Sequence, residues 1–579
     1  MKKTLLLFFA FTISLLVHAQ QTPFELSGGK QTATYTEVIS YFKNIAQKYQ
    51  EAKFIDYGTT DVGKPLNLIV LSKSKDFDPV SLHNKGKAIV LVNNGIHPGE
   101  PEGIDATMML VRDLLEKKQL PEDVVLCFIP VYNIDGMLNR GPNSRVNQNG
   151  PLEYGFRGNY RNLDLNRDCI KTDSRNSLAF QQIFQQWKPE VFVDNHTSNG
   201  ADYQYVMTYI ATQKDKLQPD VSTYMNKKLI PVLLDKMKAR KFEMVPYVNV
   251  WGATPDKGYD GFDDSPRYTT GYSTLFNTIG FVVETHMWKP FDQRVWATYG
   301  FMEELIKQVN TDTKQIVETK RKADESLKTQ VSYPLNWKLD TAKAEQFIFK
   351  GFEGKYKPSE VSGLERLYYD RTAPYEKTIN YRNSFIPTVT VEKPWAYVIP
   401  QSWTKIIELL KLNGVQMKPL PKDMTLKGEM YYIDDYKTGN RPYEGHYNHS
   451  AVIVRKDTMS VQYYKGDFVV QVDQTVNRYI VETLEPQAID SYFNWNFFDS
   501  ILGQKEGFSD YLFEDIASEL LKNDKALKEK LDAKRAADPK LAQNAYAQLD
   551  FVYKNSPYYE KTHNRYPVMR LLQPIYLGY

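Results

Sequence analysis

The 579-residue chain is poor in cysteine: it has two, Cys127 and Cys169. Two thiols exclude a disulfide scaffold and a cysteine-rich zinc module. An excess of charge is also missing. Lys and Arg number 73 and Asp and Glu 70, leaving +3, so there is no electrostatic footprint for nucleic acid or an anionic membrane surface. Beyond the first twenty residues no apolar run is long enough to span a bilayer, and there are no repeats or low-complexity tracts. Histidine is scarce, with eight in all, so any site that needs imidazole draws on a short list. What remains is ordinary for a globular chain, 42% hydrophobic and 25% charged. The length is ample for several domains.

The N-terminus reads as an address. Lys2 and Lys3 precede an almost wholly apolar stretch over residues 5–17, and Val17-His18-Ala19 offers a cleavage site before Gln20. Residues 1–19 are therefore expected to be a signal peptide, and the mature protein to be secreted or periplasmic with no membrane span. No cysteine follows the run, which argues against a lipid anchor.

Hydrophobic periodicity then alternates. Helical patterns over 35–53, 101–116, 180–187 and 226–239 are interleaved with strand-like runs over 53–57, 66–72, 87–93, 124–132, 190–194 and 279–284. Runs such as KAIVLVN and VVLCFIPVY are apolar throughout, the pattern of strands covered on both faces. The expectation is an α/β domain over 20–330 with a sheet flanked by helices, closing in a long helix over 299–328. Residues 331–579 change texture, with short alternating strands over 430–433, 451–454 and 468–472 and a charge-rich helical segment over 515–553. They read as a smaller α+β accessory domain.

The chemistry sits at strand ends. KAIVLVN is followed by Gly95-Ile96-His97-Pro98-Gly99-Glu100, in which the turn lets His97 and Glu100 converge. His196 follows the strand 190–194, and Glu284 ends IGFVVE. Three strands thus deliver two imidazoles and two carboxylates to the carboxyl edge of a sheet, where α/β proteins hold their ligands. Two histidines and a carboxylate are a hydrolytic zinc donor set with a position left for water.

This arrangement resembles the M14 family of zinc metallocarboxypeptidases. The likeness covers roughly residues 35–310 and includes Asn133-Ile134-Asp135-Gly136, similar to the family's Asn-Pro-Asp-Gly turn, and Leu163-Asp164-Leu165-Asn166-Arg167-Asp168, similar to its Asp-x-Asn-Arg segment with Asp168 where Asn is commoner. The resemblance implies one Zn2+ per chain held by His97, Glu100 and His196, with Asp164 steadying His97. It implies Glu284 as general base, and Asn166 and Arg167 as the clamp on a substrate carboxylate. An oxyanion-stabilising arginine is expected among Arg140, Arg145, Arg157 and Arg161, with Arg157 favoured because Arg157-Gly158-Asn159 resembles the family's Arg-x-Asn. A mobile tyrosine is expected at Tyr268, with Tyr272 the alternative, and the loop over 252–271 is expected to form a lid or pocket wall. His286, two residues past Glu284, is a candidate support for the site. Pairing of Cys127 with Cys169 stays open.

The function this implies is hydrolysis of the C-terminal peptide bond of peptides with a free C-terminus. The rivals are a zinc amide hydrolase or deacylase acting on small acylated amino acids, and a non-catalytic binding protein on the same fold.

Overall fold

A computed structural model describes residues 20–577; the expected signal peptide lies outside them. The chain divides into two compact units, Met1–Ala323 with Leu339–Ser384, and Asp324–Lys338 with Phe385–Tyr579. A single cut near residue 330 does not reproduce this division, because residues 339–384 return to the first unit.

Up to residue 286, the described residues of the first unit form nine strands: β1 Ala52–Tyr57, β2 Leu66–Leu71, β3 Ala88–Asn94, β4 Val124–Ile129, β5 Val191–Ser198, β6 Met207–Ala211, β7 Met244–Pro246, β8 Tyr259–Asp260 and β9 Ile279–His286. Eight of them form one mixed sheet in the order β1-β2-β4-β3-β5-β9-β6-β7, with β4, β3, β5 and β9 running parallel at its centre. Successive side chains point to opposite faces, and both faces are covered. Val191 and Val193 join a core packed by the helices Tyr35–Lys48, Glu102–Glu116 and Phe291–Thr329. Phe192, between them, meets Phe180 and Phe184 of the helix Arg175–Trp187 at 6.0 and 6.1 Å between ring centres. This is the helix-flanked sheet that the apolar runs predict.

Several boundaries differ from the sequence reading. The first long helix stops at Lys48, because β1 starts at Ala52. β5 runs to Ser198 and β9 to His286, so His196 and Glu284 lie inside their strands. The long helix starts at Phe291. Cys127 and Cys169 are both buried and free.

Residues 345–382, whose pattern does not predict a hairpin, form one of strands Glu345–Pro358 and Glu365–Arg382, joined to β8 in a three-stranded sheet. The second unit holds a six-stranded sheet and a group of short helices. The expected strands at 430–433 and 451–454 are parts of a longer hairpin, Met424–Thr438 with His449–Tyr463. The expected helical segment 515–553 is broken into Asp510–Asn523, Lys525–Ala537, Pro539–Ala542 and Ala545–Lys554. Asp524, Asp538 and Asn544 each cap the helix that follows. Among the described residues no helix is long and apolar enough to cross a membrane.

A buried ion pair ties the sheet's carboxyl edge to the long helix. Arg294 bonds Glu102 and donates to the carbonyls of Asn149 and Gly150, while Glu102 also accepts from the Thr197 hydroxyl at 2.7 Å. Removing one partner of such a pair strands the other charge in a low-dielectric interior. Arg294→Ala is expected to lower stability by about 3–5 kcal/mol, read as a fall in the thermal or urea midpoint; an unchanged midpoint would show that water reaches Glu102.

Candidate active site

The sheet's register sets the geometry. β5 and β9 are parallel neighbours, and His196 pairs with Glu284 across them. His97 lies three residues past Asn94, the end of β3, which is the next strand over. His97, Glu100 and His196 are buried, and one ligand atom from each lies within 4.8 Å of the others. His97 Nε2 is held by Asp164 Oδ1 at 2.8 Å, while His97 Nδ1 makes no hydrogen bond and lies 3.4 Å from Glu100 Oε1. His196 Nδ1 lies 3.1 Å from Glu100 Oε2. A buried nitrogen without a partner, turned toward a carboxylate and a second imidazole, fits a cation held by two nitrogens and one carboxylate, the donor set suited to zinc.

The electrostatics agree. Burial opposes ionisation of Glu100, but Arg145, His97 and His196 hold its carboxyl well below the usual range. Arg145 donates to Glu100 Oε1 at 2.8 Å and the Thr197 amide to Oε2 at 2.8 Å. Burial also opposes ionisation of Asp164, and His97, Arg157 and Arg167 outweigh it. Glu284 goes the other way. Burial pushes its carboxyl up to about 8, His196 opposes this, and Glu100 and Asp194 add to it. A group that exchanges a proton near neutrality is what a general base needs.

The arginine alternatives separate by position. Arg140 donates to the carbonyls of Thr32 and Ala33, and Arg161 to that of Asp173. Neither lines the cleft. Arg145 does, with its guanidinium engaged by Glu100, Gln148 and the Thr197 carbonyl. Arg157 also lines it, bonded through Nε to Asp164 Oδ2 at 3.0 Å, and its side chain remains 45% exposed. The Asn133–Gly136 turn builds the loop beneath it. Asn133 accepts from the Gly136 amide and donates to the Arg157 carbonyl at 2.9 Å. A Cβ at residue 136 would lie 2.3 Å from the Phe156 carbonyl oxygen, so the turn requires glycine.

Asn166 and Arg167 line the same cleft. The Arg167 guanidinium stacks on Tyr268, 4.4 Å from the ring centre, and Tyr268 meets Phe262 edge to face at 5.4 Å. Tyr272 instead lies in the core among Phe180, Phe184 and Phe276. Asp168 does not face the cleft. It is buried, binds Lys171 at 2.8 Å and accepts from the amides of Asp173 and Ser174, so this departure from the family pattern has a structural role. His286 bonds the Ala201 carbonyl and the Trp288 amide, a packing role apart from Glu284.

The cleft has a volume of about 480 Å3. Its wall includes Tyr247, Trp251, Phe262 and Asp264, none of which the sequence singled out. The last three belong to or adjoin the loop 252–271 that was expected to be a wall, but nothing in its composition marks which side chains turn inward.

Residues 38–232 match the family Peptidase_M14, zinc carboxypeptidase. The chain is 22% identical over 475 residues to Carboxypeptidase 2 of Trichophyton rubrum, covering 78% of this chain and 80% of that protein. It is 21% identical over 502 residues to Carboxypeptidase 2 of Trichophyton equinum, covering 81% and 85%. Among solved structures it is similar to a metallo-carboxypeptidase from Burkholderia cenocepacia, with 17% identity and a TM-score of 0.35 over 48% of this chain and 68% of that one. His97, Glu100, Asp164, Asn166, Arg167 and His196 fall inside the matched stretch, and Tyr268 and Glu284 lie beyond it.

Proposed function

We propose that the protein is an exported zinc metallocarboxypeptidase that removes the C-terminal residue from peptides. One observation carries the reading: a single cleft brings the His97–Glu100–His196 cluster, Glu284 in register beside His196, and the Asn166–Arg167 pair together. Export rests on the N-terminal sequence.

His97, Glu100 and His196 would hold the zinc, with Asp164 fixing the orientation and tautomer of His97 through Nε2. A bound zinc ion lowers the pKa of a water and polarises the carbonyl to be cleaved. The chain's own groups do the rest. Arg167 meets the substrate's terminal carboxylate with a planar fork, which suits two parallel hydrogen bonds, and Asn166 lies beside it. Tyr268 stacks under Arg167 and limits its motion. Arg157 offers donors to the carbonyl oxygen as negative charge builds there. Glu284 takes a proton from the attacking water and passes it to the amine nitrogen as the C–N bond breaks, so one water is consumed per peptide bond.

Metal content tests the ligand set. His97→Ala and His196→Ala are expected to lower bound zinc well below one per chain, and Asp164→Asn to weaken zinc binding about 10–100-fold, as measured by elemental analysis and chelator competition. Full zinc in both histidine variants would place the metal elsewhere.

Glu284→Gln keeps the shape and removes the base. It should retain zinc and lose about 10²–10⁴-fold in kcat; a normal kcat would make Glu284 structural.

The carboxylate clamp is tested by a substrate pair. Arg167→Lys should greatly reduce cleavage of peptides with a free C-terminus, because lysine lacks the fork. It should change little on the amidated peptides, which wild type already cleaves poorly. Equal cleavage of both substrates by wild type would favour an endopeptidase or a deacylase.

A further inference from the structure

The second unit holds a cavity of its own. Its lining runs from Pro400 to Pro567, and its volume is about 500 Å3, close to that of the cleft in the first unit. One wall is sheet. Val461 and Tyr463 stand two apart at the end of the strand His449–Tyr463 and so share a face. Met430 of the paired strand Met424–Thr438 joins them in the lining. Arg565 is fixed to the same hairpin by a backbone bridge to Tyr432, and Ile501 adds apolar surface.

Most polar groups of the cavity are already committed to the fold. Asp467 accepts the Gln401 amide at 2.9 Å on one oxygen and the Tyr464 amide at 2.8 Å on the other. Glu560 does the same with the amides of Lys505 and Glu506, at 2.8 and 3.1 Å. The Lys505 ammonium donates to the carbonyls of Ser500 and Gly503. The ring nitrogens of His563 are taken by the Tyr559 hydroxyl and the Leu502 carbonyl.

Two donors are left over. Tyr463 is 2% exposed, and its hydroxyl has no hydrogen-bond partner. Burial pushes this phenol up and Arg565 opposes the shift, so the hydroxyl keeps its proton and lies in the field of the arginine. Among the described residues Arg565 pairs with no carboxylate. Its Nη1 lies 3.9 Å from the Met459 sulfur, a weak acceptor. A buried hydroxyl without a partner costs free energy that folding does not recover. A guanidinium fork beside it suits a planar anion.

The lining decides which anion. Lys505 and Arg565 balance Asp467 and Glu560, so there is no surplus of positive charge for a doubly charged phosphate. A carboxylate carries one charge and matches one fork, with the phenol as a further donor. An apolar body attached to it would lie on Met430, Val461 and Ile501.

We propose that this cavity is a second binding site, which takes a carboxylate on an apolar body and holds it through Arg565 and Tyr463. The end of a peptide and a free short-chain acid share this chemistry. The inference does not depend on the carboxypeptidase reading.

The test is calorimetry on the full chain with N-acetyl-leucine, isocaproate, N-acetyl-leucinamide and inorganic phosphate. Each protein is also measured with Arg167→Lys added, which removes the carboxylate clamp of the cleft. The two acids should bind at least about 10-fold more tightly than the amide or phosphate. Arg565→Gln should weaken them about 10–100-fold and Tyr463→Phe about 3–10-fold, with or without Arg167→Lys. N-acetyl-leucine ahead of isocaproate would mark a peptide end as the ligand, and equal binding a free acid; both support the site. Tyr463→Phe removes an unpartnered hydroxyl, so the ligand-free thermal midpoint should hold or rise. Lost affinity without lost stability separates binding from packing.

Three outcomes overturn the proposal. If neither acid binds once Arg167→Lys is present, or Arg565→Gln leaves their affinity unchanged, the cavity is not a carboxylate site. If phosphate binds more tightly than both acids, the ligand class is wrong. If Tyr463→Phe lowers the ligand-free midpoint, the hydroxyl is satisfied within the fold and the site loses its second donor.

Discussion

The site depends on one buried carboxylate. Glu100 sits between two imidazoles, and both of its oxygens are engaged by Arg145 and the Thr197 amide. A carboxylate taken out of water is costly unless it is paired and hydrogen-bonded. The partners of Glu100 come from three parts of the fold: His97 from the turn after β3, His196 and Thr197 from β5, and Arg145 from the long loop after the helix Ile134–Leu138. The carboxylate can therefore be satisfied only when the parallel strands are in register and that loop is docked. Two residues on, Glu102 repeats the device with Arg294 and Thr197, so Thr197 contacts both acids, through its amide and its hydroxyl.

Asp164 is a second carboxylate that ties parts of the cleft together. One oxygen holds His97, and the other receives Arg157 through Nε at 3.0 Å and Nη2 at 2.9 Å. The orientations of His97 and of the arginine facing the cleft are thus set by one group. The turn at Asn133 fixes the same arginine from its backbone side. Motifs that look independent along the chain, Asn-Ile-Asp-Gly and Asp-Leu-Asn-Arg, converge on Arg157. That convergence also explains why Asp168 can depart from the family pattern: it is occupied in closing the Lys171–Ser174 loop and touches none of these groups.

What was legible in the sequence follows from range. The central strands are apolar on both faces, so they read as continuous runs, and the groups placed at their ends were found because a strand end is a local feature. Glu284 and His196 were located without knowing that they share a register. The limits of β5 and β9 were misjudged because His196-Thr197-Ser198 and Thr285-His286 are polar; those residues stay in strand because the partner strand and the buried hydrogen bonds of the site hold them there. Asp264 was invisible for the opposite reason. It sits in a run of polar and glycine residues that gives no periodicity, and whether Asp263 or Asp264 turns inward is decided by Lys216, some fifty positions earlier. The hairpin at 345–382 was missed because most of its residues are exposed, and a strand without a buried face shows little hydrophobic alternation.

That hairpin shows how the cleft acquires its outer wall. Its residues grip the loops on either side of the cleft: Arg371 pairs with Asp202 at 2.7 Å, Gln204 donates to the carbonyls of Gly351 and Tyr375, and Tyr369 donates to the Ala253 carbonyl. The strand Glu365–Arg382 pairs with β8, and the Gly261 amide bonds the Arg382 carbonyl next to Phe262. Residues 199–205 and 250–264 have little regular structure of their own, so their conformation rests on these contacts. His97, Glu100 and His196, at or inside strand ends, and Asn166 and Arg167, in the short helix Leu165–Arg167, belong to short motifs within the matched stretch 38–232. The wall that carries Trp251, Phe262 and Asp264 is instead supported by chain more than a hundred residues past it. The wall of the cleft can therefore vary with the hairpin and its loops while the register of β3, β5 and β9 stays fixed.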